Sequence, residues 1–516
     1  MNVEVLARDL AAAPHRTAGS ETASQPGLPT ILALLAAFVA IWTIYFSVTE
    51  APGAIKHDMA EAYAWGHEFQ LGYNQHPPFW AWICGLWFSV FPRSGWAFAL
   101  LSSLNAGIGL WGAWEVIGDF AQGRKRLAAW WLLLLTPLYT FYAYKYNANI
   151  IFLSIWPWTL HCFMRSLRSR TTGSAVGLGV CFGLALMSKY YAVILVASCF
   201  LALLQHPARW RYLGSVSPVI TAAVTSVICA PHLWWLVTHK APPLRYLEGI
   251  SGQGWKGVAD YALNTLAGSV EMNLGVVAVV LLVAWITRRT PAATFVRDLH
   301  SPKLRVLATL ALAPLVLTVI SAVALRTRQT PEMTIATFAL LPLLVIELAR
   351  VRDIERLCRI AGRLAVAVTL GALVLSPAIA VQRTFLSPAA MKTAPLQEAA
   401  AAVTKLWHER TSRKLAYVAG VAGTAWYDNA IVFYSSDRPH TFVDFDYGRN
   451  LWATPEKIAR YGLVSVCVKG DPLCLARTAE FVTPETTRTE ISLAHKFWGH
   501  VARPIDFVVT IIPPRP

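Results

Sequence analysis

Residues 29–48 read PTILALLAAFVAIWTIYFSV, with no charged side chain among them. A helix needs about 20 mainly apolar residues to cross the hydrocarbon core of a bilayer, so this run predicts a membrane span. The run is too long for the apolar core of a signal peptide and no clear small-residue cleavage site follows, which makes it an anchor. Further spans centre near 95–118, 127–143, 149–164, 175–188, 190–204, 214–236, 266–286, 305–325, 332–349 and 363–382, giving about eleven. Composition agrees: only 14% of the 516 residues are charged, against about 25% in globular domains. Hydrophobic residues make up 55% and Trp occurs 21 times. So few charges do not cover a soluble surface of this size, which sets aside a soluble enzyme, a disordered scaffold and a fibrous repeat. The fold class is a polytopic α-helical membrane protein.

The formal net charge is +16, a balance that on a soluble domain would suggest nucleic acid. Here the basic residues fall in short clusters between apolar runs, as cytoplasmic loops do, and no nucleic-acid partner is expected. With the N-terminus in the cytoplasm, the cytoplasmic segments 1–28, 123–126, 165–170, 209–211, 288–305 and 350–363 hold 20 Lys and Arg, and the opposite loops nine. An odd number of spans then places residues 383–516 outside the cytoplasm. In that tail charges return, and the β-rich runs KLAYVAGV, AIVFYS, VSVCVK and FVVTII alternate with Gly, Pro and Asp, which predicts a small extracytoplasmic α/β domain. Cys467 and Cys474 lie close together there; a disulfide and two unpaired thiols are both open. Most other cysteines, such as Cys181, Cys199 and Cys229, lie in apolar runs and read as small core hydrophobes. The chain thus divides into a cytoplasmic segment (1–28), a membrane domain (29–382) with a long first external loop (49–92), and the tail domain (383–516).

That first loop carries the most unusual residues. Asp58 and Glu61 are spaced i, i+3, which places both carboxylates on one face of a short helix. Ala60, Tyr63, Ala64, Trp65 and Phe69 give the helix an apolar side suited to the membrane interface. A turn follows, then His76 and two prolines that stiffen the entry to the next apolar stretch. A carboxylate held at the membrane surface can serve as general base on a hydroxyl. The competing reading is an acidic pair that merely complements the helix dipole.

The strings D-x-A-E-A-x-x-W and L-G-Y-x-x-H-P-P-x-x-x-W over residues 58–82 resemble the first-loop signature of membrane glycosyltransferases of the GT-C fold. The resemblance is nearest to the lipopolysaccharide galacturonosyltransferase-like proteins; the lipid A aminoarabinose transferases and protein O-mannosyltransferases are more distant. The segments KYNANIIFLSIWPWTLHCF, LALMSKYYAVILV, PHLWWL, GTAWYDNAIVFYSSDRPH and VSVCVKGDPLC are similar to the same group, so the likeness extends over most of the chain. It implies inverting transfer of a sugar from a polyprenyl-phosphate carrier to a hydroxyl of a lipid or glycan acceptor, such as lipid A or lipopolysaccharide core. It also implies a place in the bacterial inner membrane, among membrane lipids, with the active site and tail domain facing the periplasm. The first acid of the motif, the family's catalytic base, corresponds to Asp58. Where many relatives carry a second acid immediately afterwards this chain has Met59, and Glu61 is the remaining candidate for a second carboxylate. A lipid-phosphate leaving group calls for external cations. The candidates are Lys189, then Arg326 and Arg328, then Lys145 and Arg245. His76, Tyr73, Asn147 and Asn149 are candidates for holding substrate, with helix capping the competing reading for the asparagines. No cofactor is required, and a divalent metal stays open.

Several other signals carry less. The D-x-D string at Asp444 and Asp446 falls in the external domain, where nucleotide sugars are not expected. His67-Glu68 lacks the following His of a zinc-protease helix, and no spaced Cys/His zinc pattern occurs. The chain also lacks the GxxxxGK[ST] string of an ATP-driven pump. A transporter or lipid-carrier flippase is the rival class, and a protein hydroxyl the rival acceptor. Transporters keep polar or broken helices at the midplane, whereas the informative polar residues here crowd at one external surface.

Overall fold

The computed structural model describes residues 26–252, 254–286, 301–327, 330–386, 393–421 and 427–515. The expected cytoplasmic segment 1–28 falls almost wholly outside them, as does Arg328. Among the described residues six helices are long and apolar enough to cross a membrane: Leu28–Glu50, Gly95–Gly118, Ser217–Thr238, Pro302–Leu325, Pro331–Ala349 and Ile354–Leu386. A seventh crossing is available to the pair Trp255–Glu271 and Leu274–Ile286, bent by 49°. Shorter apolar helices occupy Phe79–Val90, Thr172–Leu186 and Ala192–Gln205.

Two of the expected spans are irregular. The run 127–143 is helical only to Leu133, after which turns lead to a 3-10 turn at Phe141–Tyr144. Pro137 explains the break, because it lacks an amide hydrogen and biases the residue before it away from the helical region. The run 332–349 begins as a 3-10 helix, Pro331–Leu340, and becomes α-helical at Leu341–Ala349. Conversely, Phe79–Val90 is an apolar helix inside what reads as the first loop.

The chain folds into two compact units that do not follow chain order. The first gathers residues up to 42, 102–144 and 148–372. In it the helices Thr172–Leu186 and Ser217–Thr238 are tied by the hydroxyls of Thr221 and Thr225, which donate to the carbonyls of Ala175 and Gly179 at 3.1 Å each. Helix Pro302–Leu325 is tied to the segment around Ala192–Gln205 by Tyr191 with Thr318 (2.6 Å) and by Gln205 donating to Thr309 (2.7 Å). Threonine and glutamine suit this role because hydrocarbon offers their polar groups no other partner.

The second unit gathers residues 43–101, 145–147 and 373 onward. Its sheet has five strands, β1 Tyr417–Gly420, β2 His440–Val443, β3 Leu463–Val468, β4 Thr487–Leu493 and β7 Ile505–Ile512, in the order β2-β1-β3-β7-β4. β1 pairs parallel with β2 and β3, while β7 runs antiparallel to β3 and β4. β5 Lys496–Phe497 and β6 His500–Val501 form a separate short ribbon. Cys467 and Cys474 are joined by a disulfide. The run AIVFYS, expected as a strand, is instead part of the helix Tyr427–Tyr434. Every residue from Tyr427 to Phe433 is buried, and a segment buried all round loses the periodicity that separates helix from strand.

The first-loop helix α1, His57–Glu68, is held inside this unit. Phe433 is fully buried and meets Tyr63, Phe88 and Phe98 at ring-centroid distances of 5.1, 5.4 and 5.4 Å. The Arg93 guanidinium donates to the carbonyls of Phe433 and Ser435 at 2.8 and 2.7 Å. Ala60, Tyr63, Ala64 and Trp65 are buried as expected, but Phe69 is 48% exposed. Phe69 ends the helix in a left-handed conformation (φ 49°), which turns the side chain out of the apolar stripe. α1 crosses the helix Phe79–Val90 at two glycines. A Cβ on Gly66 would meet the Ala81 carbonyl oxygen at 2.4 Å, and one on Gly85 the Gly66 carbonyl oxygen at 2.2 Å.

Gly85→Ala should therefore destabilise the protein by about 1–3 kcal/mol, the usual cost of overpacking. Gly249→Ala, where a Cβ meets nothing within 4 Å, should leave the melting temperature in detergent unchanged. Equal melting temperatures for the two variants would refute the close crossing.

Candidate active site

α1 is mostly apolar, with Met59, Ala60 and the run Ala62–Gly66 buried, yet it carries His57, Asp58, Glu61, His67 and Glu68 on twelve residues. Burying the apolar side brings these groups partly out of water, so each needs a partner or a changed protonation state. Asp58 lies in the first turn, where the helix dipole favours an anion. Lys145 Nζ is 3.2 Å from Asp58 Oδ2, and Asn147 Nδ2 donates to the same oxygen at 2.7 Å. Burial pushes the Asp58 carboxyl up, but the Lys145 charge, the Asn147 hydrogen bond and His57 outweigh it and hold it below the usual carboxylate range. Asp58 is therefore ionised at neutral pH.

Glu61 lies one turn further along and behaves oppositely. Burial, and next the negative charge of Asp58, push it up to about 8, against the pull of Arg449. Asp428, on the helix Tyr427–Tyr434, is raised by its burial to about 6. His57 is lowered to about 4, chiefly by burial, with Asp58 opposing the shift and Lys145 and Arg449 adding to it. At neutral pH α1 thus carries an ionised Asp58, a largely protonated Glu61 three residues away, and a neutral His57 imidazole. Two carboxyls pushed apart in this way are suited to different proton-transfer roles.

The structure brings Asp58, Lys145 and Asn147 together as one polar cluster. It separately brings Lys189 to Asn149: the Lys189 side chain is buried and Nζ donates to Asn149 Oδ1 at 2.6 Å. Arg326 caps the end of Pro302–Leu325 in a left-handed conformation, with its guanidinium 5.3 Å from the Trp255 ring centroid. Arg245 is exposed on the helix Pro242–Ile250. Tyr73 is buried and stacks on Trp65 at 4.8 Å, and its hydroxyl donates to the Trp65 carbonyl at 2.5 Å. These contacts brace the loop. His76 sits edge-on to Trp80 at 5.9 Å, and its carbonyl accepts the Tyr73 amide.

Sequence reasoning missed Asp428 and Arg449, which the tail domain supplies to the surroundings of Glu61. For Arg449 the signal available was the string DFDYGRN at 444–450. Its carboxylates are engaged locally: Asp444 pairs with Arg449, and Asp446 accepts the Gly448 amide at 2.7 Å.

Residues 75–235 match the family model of dolichyl-phosphate-mannose-protein mannosyltransferases. The chain is 26% identical over 199 residues to the lipid A galacturonosyltransferase RgtD of Rhizobium johnstonii, a match covering 38% of this chain and 41% of that relative. The match thus spans well under half the relative's length. ArnT from Cupriavidus metallidurans, solved bound to undecaprenyl phosphate, superposes with a TM-score of 0.59 at 14% identity, over 93% of this chain and 98% of that one. Its apo state superposes with a TM-score of 0.61 at 14% identity, over 92% and 97%. The structural likeness shows the GT-C fold of a multi-pass membrane protein, and the matching family model and the curated relative are both glycosyltransferases.

The Glu61 shift has a defined pH signature. A carboxyl raised from 4.5 to about 8 on folding binds more protons in the native state across that window, so stability falls as pH rises through it. Glu61→Gln should flatten the melting temperature between pH 5 and 8 and exceed the unmodified protein at pH 8. An unchanged pH profile would show that Glu61 ionises normally.

Proposed function

We propose that this protein is a glycosyltransferase that moves a sugar from a polyprenyl-phosphate donor to a hydroxyl of a lipid or glycan acceptor, such as lipid A or lipopolysaccharide core. The observation that carries the proposal is an ionised Asp58 held by Lys145 and Asn147 on a helix buried within its unit, in a chain with the GT-C fold. RgtD, a lipid A galacturonosyltransferase, and ArnT, solved bound to undecaprenyl phosphate, support this donor and acceptor chemistry.

In the proposed reaction the acceptor oxygen attacks the anomeric carbon, the bond to the carrier phosphate breaks, and the configuration inverts. Asp58 takes the acceptor proton. Its depressed pKa makes it a weak base in the free enzyme. An anionic donor drawing Lys145 away would remove the main charge holding that pKa down, so basicity would rise when donor is bound. Lys189, oriented by Asn149, is assigned to the departing phosphate with the external arginines, because charge-assisted contacts to phosphate are the strong ones. Glu61, protonated at neutral pH, serves as a hydrogen-bond donor rather than a second base. No step needs a cofactor.

The proposed setting is the bacterial inner membrane, with about eleven spans across residues 29–382. The first loop and the domain from 383 onward face the periplasm, supported by the basic bias of the opposite loops and by the Cys467–Cys474 disulfide, a bond that persists in oxidising compartments.

Asp58→Asn should lower sugar transfer from a polyprenyl-phosphate donor in detergent by about 10²–10⁴-fold, the range for loss of a general base. Full retained activity would remove Asp58 from the mechanism. Lys189→Met should weaken donor binding while the protein remains folded, read as a raised donor KM. Mass spectrometry of envelope lipids and glycans from cells with and without the protein identifies the acceptor through the missing sugar mass.

A further inference from the structure

The far end of α1 carries a second cluster that the transfer reaction does not use. His67 and Glu68 form its last turn, and His440 opens strand β2. Glu68 Oε1 lies 2.7 Å from His440 Nδ1 and 3.8 Å from His67 Nδ1. One ligand atom from each of the three residues can be chosen so that all lie within 4.8 Å of one another. The two imidazole rings are 5.2 Å apart. Glu68 is almost fully enclosed, with 4% of its side chain exposed. His67 Nδ1 is buried and makes no hydrogen bond, so a nitrogen without a hydrogen-bond partner faces a buried carboxylate 3.8 Å away.

We propose that His67, Glu68 and His440 form a zinc-class divalent-metal site that clamps the end of α1 to the first residue of β2. Two imidazole nitrogens and one carboxylate oxygen are a donor set of zinc, with bonds of about 2.0–2.2 Å and a fourth position open to water. Tetrahedral bonds of that length place donors about 3.4 Å apart, a spacing bracketed by the 2.7 and 3.8 Å separations on Glu68 Oε1. Calcium and magnesium are disfavoured, because they select all-oxygen sites. Packing preorganises the rings: His67 stacks on Tyr63 at 6.1 Å and His440 lies 5.3 Å from the Tyr417 ring. His67 is nine residues from Asp58, about 13 Å along a helix, so the metal would be structural and remote from the reacting bond.

The competing arrangement is a metal-free hydrogen-bonded His–Glu pair, and metal content separates the two whatever the protein's activity. Full-length, tag-free protein in detergent is stripped with EDTA, titrated with zinc chloride, desalted and measured by mass spectrometry of the metal. The proposal expects about one zinc per chain and a melting temperature that rises with zinc concentration. Cobalt(II) in place of zinc should give the visible absorption of a four-coordinate site. His440→Ala and the near-isosteric Glu68→Gln should each weaken zinc binding at least about tenfold, while Asp58→Asn binds zinc undiminished. Circular dichroism confirms that each variant is folded. Wild-type protein that retains no zinc, or folded His440→Ala and Glu68→Gln variants that retain it as tightly as wild type, would overturn the proposal.

Discussion

Everything distinctive in the second unit depends on burying a helix that is both apolar and ionisable. Met59, Ala62, Ala64 and Trp65 draw α1 into the protein, and Gly66 and Gly85 let a second helix approach to backbone contact. The same packing reduces the hydration of five titratable groups. Uncompensated buried charge costs several kcal/mol per ion, so the surrounding chain must supply partners. Lys145 and Asn147 come from a three-residue segment, His440 from a strand, and Arg449 from the turn after it. A helix that was polar on one side and free in water would need none of these.

Differential burial then produces chemistry without unusual residue types. Asp58 and Glu61 share a helix face, yet one is held below and the other above the ordinary carboxylate range. Their mutual repulsion reinforces the division, because ionising Glu61 would place a second negative charge beside Asp58. The site therefore has a proton acceptor and a proton donor a turn apart at neutral pH, set by which of the two has cationic and amide partners.

The legibility of the sequence varied with the range of the interaction. Long apolar runs announced the membrane helices because hydrocarbon imposes its length directly on local sequence. α1 was legible as a short helix with Asp58 and Glu61 on one face, because i, i+3 spacing is a local property. Phe69 was misplaced because the left-handed residue that ends the helix leaves no mark on the apolar pattern. AIVFYS was misread because a segment buried on all sides looks the same as strand or helix. The partners of the ionisable groups were hardest to see: His440 lies 372 residues from Glu68, beyond any spacing rule. A motif search for His67-Glu68 fails for that reason, since the third residue of the cluster comes from another part of the fold. Asp58 and Lys145, 87 positions apart, were each singled out, but nothing in the sequence paired them.

The three-segment construction of the second unit also sets a timetable for its birth. α1 is synthesised before the helix and strand that cover it, which follow roughly 360 residues later. At about 5–20 residues per second, α1 waits about twenty to seventy seconds with its apolar side and its charged groups uncovered. A nascent chain still on the ribosome during that interval has its Asp58 but neither Phe433 nor His440 to seat it. The packing that seats α1 is therefore complete only once the tail has been made and folded, and until then a membrane surface suits its apolar side.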